Sequence, residues 1–188
     1  MRVISGSAGG QRLTTPAGNA TRPTADRVKE ALFSILDSAG SLPEARVLDL
    51  FAGSGALGIE ALSRGASHAT LVEKARPALA TLQGNLRQTR LAPQSTVLAM
   101  DVFAALELLL RQEKRFDLVL LDPPYARGLH VQVLERIAPL VAIDGLVVAE
   151  ASARLPLPER IGGIRRTDRR VYGDTALDFY IPEGNDAP

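Results

Sequence analysis

"RVLDLFAGSGALGIEALSRG", residues 46–65, reads as three pieces in succession. An apolar strand-like run, "RVLDLF", passes directly into the glycines Gly53, Gly55 and Gly58, and from Ala56 to Arg64 the apolar residues return at helical spacing. A strand that feeds a glycine-rich turn into a helix opens a β-α-β crossover. Downstream the alternation repeats. "ATLVEK", "STVLAM", "FDLVLLD" and "GLVVAEA" read as strands, with helices expected over 76–90, 102–112 and 129–141 between them. Runs this continuously apolar suit strands buried on both faces, hence a parallel sheet with right-handed crossovers. The expected fold class is α/β: a Rossmann-like, doubly wound, mostly parallel sheet.

Both ends depart from the alternation. "RVISGS" and "QRLTTP" flank Gly9-Gly10 and predict a small N-terminal β-hairpin, followed by a loop containing Pro16, Gly18, Asn19 and Pro23. Thr24 is the expected N-cap of a helix over 24–38, with Asp26 in its first turn and Val28, Ala31, Leu32, Ile35 and Leu36 on its apolar face. At the other end "IRRTDRRVYGDTALDFYI" predicts two strands around Gly173-Asp174, an antiparallel hairpin at the sheet edge. No linker divides the 188 residues, so one domain is expected, with 1–40 as a hairpin-and-helix extension and 41–188 as the core.

Composition excludes several classes. Without cysteine there is no disulfide framework, thiol nucleophile or cysteine-held zinc. The N-terminus lacks an apolar signal core, and no apolar run approaches the ~18 residues of a membrane span. A cytoplasmic monomer without membrane or metal partners is the expectation. Net charge is +1, but unevenly placed. Arg2, Arg12, Arg22, Arg27 and Lys29 outnumber the acids of residues 1–30, and six arginines crowd residues 154–172, Arg170 among them. Basic ends around an acidic middle suit a surface facing phosphate, although ordinary solvated arginine gives the same count.

Gly53-Ser54-Gly55-Ala56-Leu57-Gly58 satisfies G-x-G-x-x-G, and Glu73 ends the next strand where a ribose-binding acid belongs. A nicotinamide dinucleotide and S-adenosylmethionine are both candidates for such a loop. Asp49, just ahead of the glycines, favours the second, because it would attract a cationic methionine end and repel a pyrophosphate. Asp101, ending the third strand, can accept from an adenine amine or cap the following helix, or both.

"DLVLLDPPYARG", residues 117–128, ends a strand on an acid, two prolines and a tyrosine. Proline cannot continue the ladder. Asp122 and the Pro123 carbonyl can instead accept the two N–H groups of an exocyclic amine and aim its lone pair at a methyl donor, and Tyr125 offers a flat face to an unstacked base. His68 reads as inert, and a general-base role for His130 is not required, since a methylated cationic amine sheds its proton readily.

With "DLFAGSG" after the first strand and DPPY after the fourth, the chain resembles the amino-methyltransferases of the class I S-adenosylmethionine-dependent fold. More narrowly, "RVISGSAGGQRL", "RPTADRVKEALF", "LVEK", DPPY and "RVYGDT" together resemble the RsmD family of small-subunit ribosomal RNA guanine-N2 methyltransferases. The resemblance implies methylation of guanine N2 in 16S rRNA, with the small ribosomal subunit as partner and S-adenosyl-L-methionine as cofactor. It assigns Gly53, Gly55, Glu73 and Asp101 to the cofactor, and Asp122, Pro123 and Tyr125 to the base. The N-terminal hairpin is poorer in lysine and arginine than is usual in that family. The rival readings are a DNA adenine-N6 methyltransferase, an NAD-dependent oxidoreductase and a non-catalytic RNA-binding assembly factor.

Overall fold

A computed structural model describes residues 1–15, 23–123 and 128–184. Five helices and eight strands follow in the order α1 (Pro23–Ser38), β1 (Arg46–Asp49), α2 (Ala56–Ser63), β2 (His68–Val72), α3 (Arg76–Thr89), β3 (Ser95–Leu98), α4 (Val102–Arg111), β4 (Phe116–Leu121), α5 (Leu129–Ile137), β5 (Val141–Ser152), β6 (Arg160–Ile161), β7 (Ile164–Tyr172) and β8 (Thr175–Pro182). They build one eight-stranded sheet in the order β3-β2-β1-β4-β5-β8-β7-β6. The first five strands are parallel, and β8 joins β5 antiparallel with β7 outside it, as the terminal hairpin predicts.

The alternating side chains of each strand feed two cores. Val47, Leu71, Leu118, Leu120, Val148 and Leu177 face the side covered by α1, α2 and α3. Leu48, Val72, Val119, Leu121, Val147 and Tyr180 face α4 and α5. This parity decides which strand-end residues share a face.

Several expectations shift. The helix begins at Pro23, so Thr24 lies inside its first turn; a proline there costs no hydrogen bond, because the first helical N–H groups have no partner anyway. α5 stops at Ile137 and tightens into a short 3-10 turn around Pro139, which leaves β5 free to begin at Val141. The small N-terminal hairpin is present as expected, with one antiparallel bridge between Arg2 and Arg12 and backbone hydrogen bonds from Val3 N–H to Gln11, Gly10 N–H to Val3 and Leu13 N–H to Met1. Among the described residues no helix is long and apolar enough to cross a membrane.

Side chains of the core hold that hairpin where the ladder is too short to do so. Glu60, fully buried on α2, accepts from the backbone N–H groups of Ile4 at 2.8 Å and Ser5 at 3.1 Å, from Lys29 Nζ at 3.2 Å and from Arg64 Nε at 2.8 Å. Ser63 accepts from Ala8 N–H at 2.9 Å and donates to the Ser5 carbonyl. The approach is so close that a Cβ on Gly6 would stand 1.8 Å from the Ser63 carbonyl oxygen. On the far side Asn85 of α3 exchanges two 2.9 Å hydrogen bonds with Thr14 and donates a third to the Ser54 carbonyl at 2.8 Å. The hairpin and the glycine loop therefore share one buried amide.

Candidate active site

In a parallel sheet the carboxyl ends of the strands open onto the crevice where ligands bind. β1 delivers Asp49 there, and β2, β3 and β4 are followed at the same edge by Glu73, Asp101 and Asp122. The turn after β1 is shaped for a close-lying ligand. Gly55 holds φ at +84° as the residue capping α2, a left-handed conformation that favours glycine, and a Cβ there would stand 2.4 Å from Leu82 Cδ1. Gly53, at φ +54°, has nothing within 4 Å of its would-be Cβ, leaving open space against the backbone.

Asp49 is 1 % exposed, with Oδ2 accepting from Gly58 N–H at 3.2 Å and Oδ1 without a hydrogen-bond partner. Burial raises its pKa to about 7 against the opposing pull of the Gly58 and Phe51 N–H groups, and Asp122 and Glu73 add to the rise. A buried oxygen with an empty lone pair beside a bare glycine backbone fits the polar, cationic end of S-adenosylmethionine.

Glu73 and Asp101 are more occupied than the sequence implies. Glu73 Oε2 accepts from Gly53 N–H at 2.9 Å, while Oε1 accepts from the N–H groups of Lys74 and Ala75 at 2.8 and 2.7 Å. Three of a carboxylate's roughly four acceptor positions are thus filled, so one ribose hydroxyl, not two, can bind without rearrangement. Asp101 caps α4 through Phe103 N–H at 3.0 Å, and its other oxygen pairs with Lys74 Nζ at 3.0 Å. Those two contacts, the Lys74 pairing first, hold its pKa below the usual carboxylate range. The capping role is thus present, and the second oxygen is held by Lys74.

Asp122 is open to solvent on one side and crowded by protein on the others; that desolvation raises its pKa to about 6. Pro123 is buried. Tyr125 and Arg22 lie outside the described residues. A residue that sequence reading missed joins the group: Glu150, near the end of β5, whose pKa is pushed up to about 8 by burial and by Asp122. Its signal was present in "GLVVAEA", a fifth apolar run ending on an acid like the four before it. The two histidines are both engaged, His68 Nε2 with Thr96 Oγ1 at 2.9 Å and His130 Nε2 with the Glu150 carbonyl at 2.7 Å. Among the described residues, no His, Asp and Glu side chains converge as a metal site.

The expected basic surface divides. Arg2, Arg12 and Arg27 are exposed, and Arg2 and Arg12 sit directly opposite each other across the bridge. Like charges in that position cost stability unless a ligand neutralises them. Lys29 must be removed from the set. It is 4 % exposed, its ammonium bound to Glu60 and, at 2.7 Å, to the Arg2 carbonyl, because α1 turns that position inward onto α2. The C-terminal arginines find carboxylates largely outside their own segment: Arg154 with Asp174, Arg160 with Glu183, and Arg166 and Arg169 with the buried Asp178. Arg170 pairs with Asp168 at 2.7 Å and stays half-exposed.

Comparison with known proteins follows the same lines. The family model described as "Conserved hypothetical protein 95" matches residues 1–181. The Bacillus subtilis protein YlbH, provisionally named an rRNA methyltransferase, is 39% identical over 186 residues, 98% of this chain and 100% of its own. Ribosomal RNA small subunit methyltransferase D of Escherichia coli is 35% identical over 185 residues, covering 97% of this chain and 90% of its own. The solved structure of Escherichia coli yhhF, provisionally called a methyltransferase, superposes with a TM-score of 0.84 at 32% identity, over 98% of this chain and 99% of that one.

Proposed function

Since the chain belongs to the RsmD family of methyltransferases, we propose that it transfers a methyl group from S-adenosylmethionine to ribosomal RNA of the small subunit, and specifically to the exocyclic N2 of a guanine in 16S rRNA. One observation carries the reading: Asp122 follows β4 at the same sheet edge as Asp49 and the open Gly53 backbone, which supports an amine acceptor beside the cofactor's place.

S-adenosylmethionine, when bound, supplies a methyl group on a positively charged sulfur. Gly53 and Gly55 let it lie against the backbone, Asp49 meets its cationic amino-acid end, and Glu73 and Asp101 hold the ribose and adenine with the acceptor positions they have left. Asp122 and the Pro123 carbonyl take the two N–H groups of the guanine amine, whose lone pair is otherwise spread into the ring. Fixed acceptors around the cation that develops on nitrogen need no reorganisation during reaction, which is where such sites draw their rate. The proton released by the methylated amine passes to Asp122 and on to solvent. Exposed Arg2, Arg12, Arg27 and Arg170 are the phosphate contacts of this reading, with Arg22 and Tyr125 completing it. The anchoring of the hairpin by Glu60, Ser63 and Asn85 supports reading 1–188 as one working unit, the 1–40 extension built onto the 41–188 catalytic core.

The test is transfer of labelled methyl to unmodified small subunits, with the product nucleoside identified. N2-methylguanosine is expected, and Asp122→Ala should lower the rate about 10²–10³-fold while S-adenosylhomocysteine still binds. Near-parental turnover by that variant would make the acid structural.

A further inference from the structure

Sheet register places a second carboxyl beside Asp122. Leu121 of β4 pairs with Ala149 of β5, so the next residues, Asp122 and Glu150, stand side by side at the edge of adjacent parallel strands. Leu120 and Val148, one pair further back, both belong to the α1–α3 core. Asp122 and Glu150 continue that face, and Asp49 lies on it too, with its unpartnered buried oxygen. Among the described residues neither Asp122 nor Glu150 has an ion-pair partner. Two adjacent, partly desolvated carboxyls without a cation cost stability, and a fold that keeps them keeps them for a ligand rich in donors.

Guanine is such a ligand. On its Watson–Crick edge the reacting amine is flanked by the ring N1–H, so donors stand next to one another. Adenine flanks its amine with ring nitrogens that are acceptors, which would set lone pair against carboxyl. We propose that Glu150 is a further base-contacting residue, accepting the N1–H of the target guanine while Asp122 and the Pro123 carbonyl hold the amine, so that the pair selects guanine over adenine. This rests on the guanine-N2 reading above and extends it to specificity. At neutral pH the two acids share protons, and they still offer acceptor oxygens to both donors. The groups facing Glu150 are Asp122 from β4, the apolar Leu177 paired with it from β8, and His130 of α5, whose ring holds the Glu150 carbonyl; Arg170 lies one strand beyond Leu177.

Glu150→Ala and Glu150→Gln are compared with the parent on unmodified small subunits, measuring kcat and KM across pH, the product nucleoside, S-adenosylhomocysteine affinity and melting temperature. Glu150→Ala should lower kcat/KM by about 10- to 100-fold, as expected when a buried donor, the guanine N1–H, is left without its acceptor. Glu150→Gln keeps an acceptor oxygen and should recover most of that loss. Its rising pH limb, set by Asp122, should stay near the parent's, because Asp122 titrates at about 6 while Glu150, raised to about 8, is still neutral. Neither variant should lose cofactor affinity, and neither should melt below the parent. Parental kcat/KM in Glu150→Ala, or a fall in both variants that tracks lower melting temperature, overturns the assignment while N2-methylguanosine remains the product. A different product nucleoside from the parent enzyme overturns the guanine reading itself.

Discussion

Removing the Glu60 carboxylate should loosen the whole N-terminal extension, because four donors converge on it and the site is closed to water. In Glu60→Ala the Lys29 ammonium, 4 % exposed, keeps only the Arg2 carbonyl, and the N–H groups of Ile4 and Ser5 lose their acceptor. Breaking one half of a buried ion pair costs about 3–5 kcal/mol, most of it the uncompensated charge left behind. For a domain of this size, 1 kcal/mol moves the melting temperature by roughly 2–4 °C, so a fall of about 6–20 °C is expected. Urea unfolding of the parent, Glu60→Ala, Lys29→Met and Glu60→Ala/Lys29→Met forms the cycle that isolates the pair. The double variant should recover much of the loss, since an apolar replacement leaves no orphaned charge. A single-variant cost under about 1 kcal/mol, or simple additivity in the double variant, refutes the reasoning and returns Lys29 to the surface.

Two further outcomes follow from charge. Asp49, Asp122 and Glu150 all hold protons more tightly when folded than when unfolded, so stability should fall as pH rises from about 4 through about 8. Asp117, Asp101 and Asp168, whose pKa values are lowered by Arg46, Lys74 and Arg170, act oppositely, but only below the ordinary carboxylate range. Denaturant titrations at a series of pH values should therefore show maximal stability in mild acid, flattened in Asp49→Asn; stability that climbs with pH across this window contradicts the burial. Arg2→Glu and Arg12→Glu should raise the apparent substrate constant and flatten its salt dependence by about 0.7 in log–log slope for each phosphate no longer neutralised, with cofactor affinity unchanged. Unaltered salt dependence in both would leave the facing arginines as solvated surface.

Much of the architecture was legible because the central strands are apolar on both faces and each ends on an acid, a pattern that composition alone cannot imitate. The glycine turn was equally plain, since Gly53 and Gly55 stand where the backbone takes positive φ. What failed to show was pairing across distance. Lys29 reads as one more cation until α1 is laid against α2 and Glu60 comes within 3.2 Å. The arginines of residues 154–172 look like a patch because Asp174, Asp178 and Glu183 lie beyond that stretch, on the returning strand and its flanks. Glu150 was overlooked for a related reason. The acid in "GLVVAEA" is visible in the sequence, but its place beside Asp122 comes from the β4–β5 register, which strand neighbours separated by a crossover helix do not reveal locally.

The anchoring of the hairpin also has a consequence in time. Residues 1–13 are made first, yet the groups that hold them, Glu60, Ser63 and Asn85, come from helices made well afterwards. At about 5–20 residues per second, synthesis from Leu13 to Asn85 takes roughly 4–14 s, during which the leading segment gains first the Lys29 contact to the Arg2 carbonyl, then Glu60 and Ser63 of α2, and last Asn85. The Arg2–Arg12 bridge is closed by hydrogen bonds within residues 1–13, but Thr14 beyond it is pinned only once α3 brings Asn85. A nascent chain thus fixes the far end of its hairpin and the Ser54 carbonyl of the glycine turn with the same late-made amide.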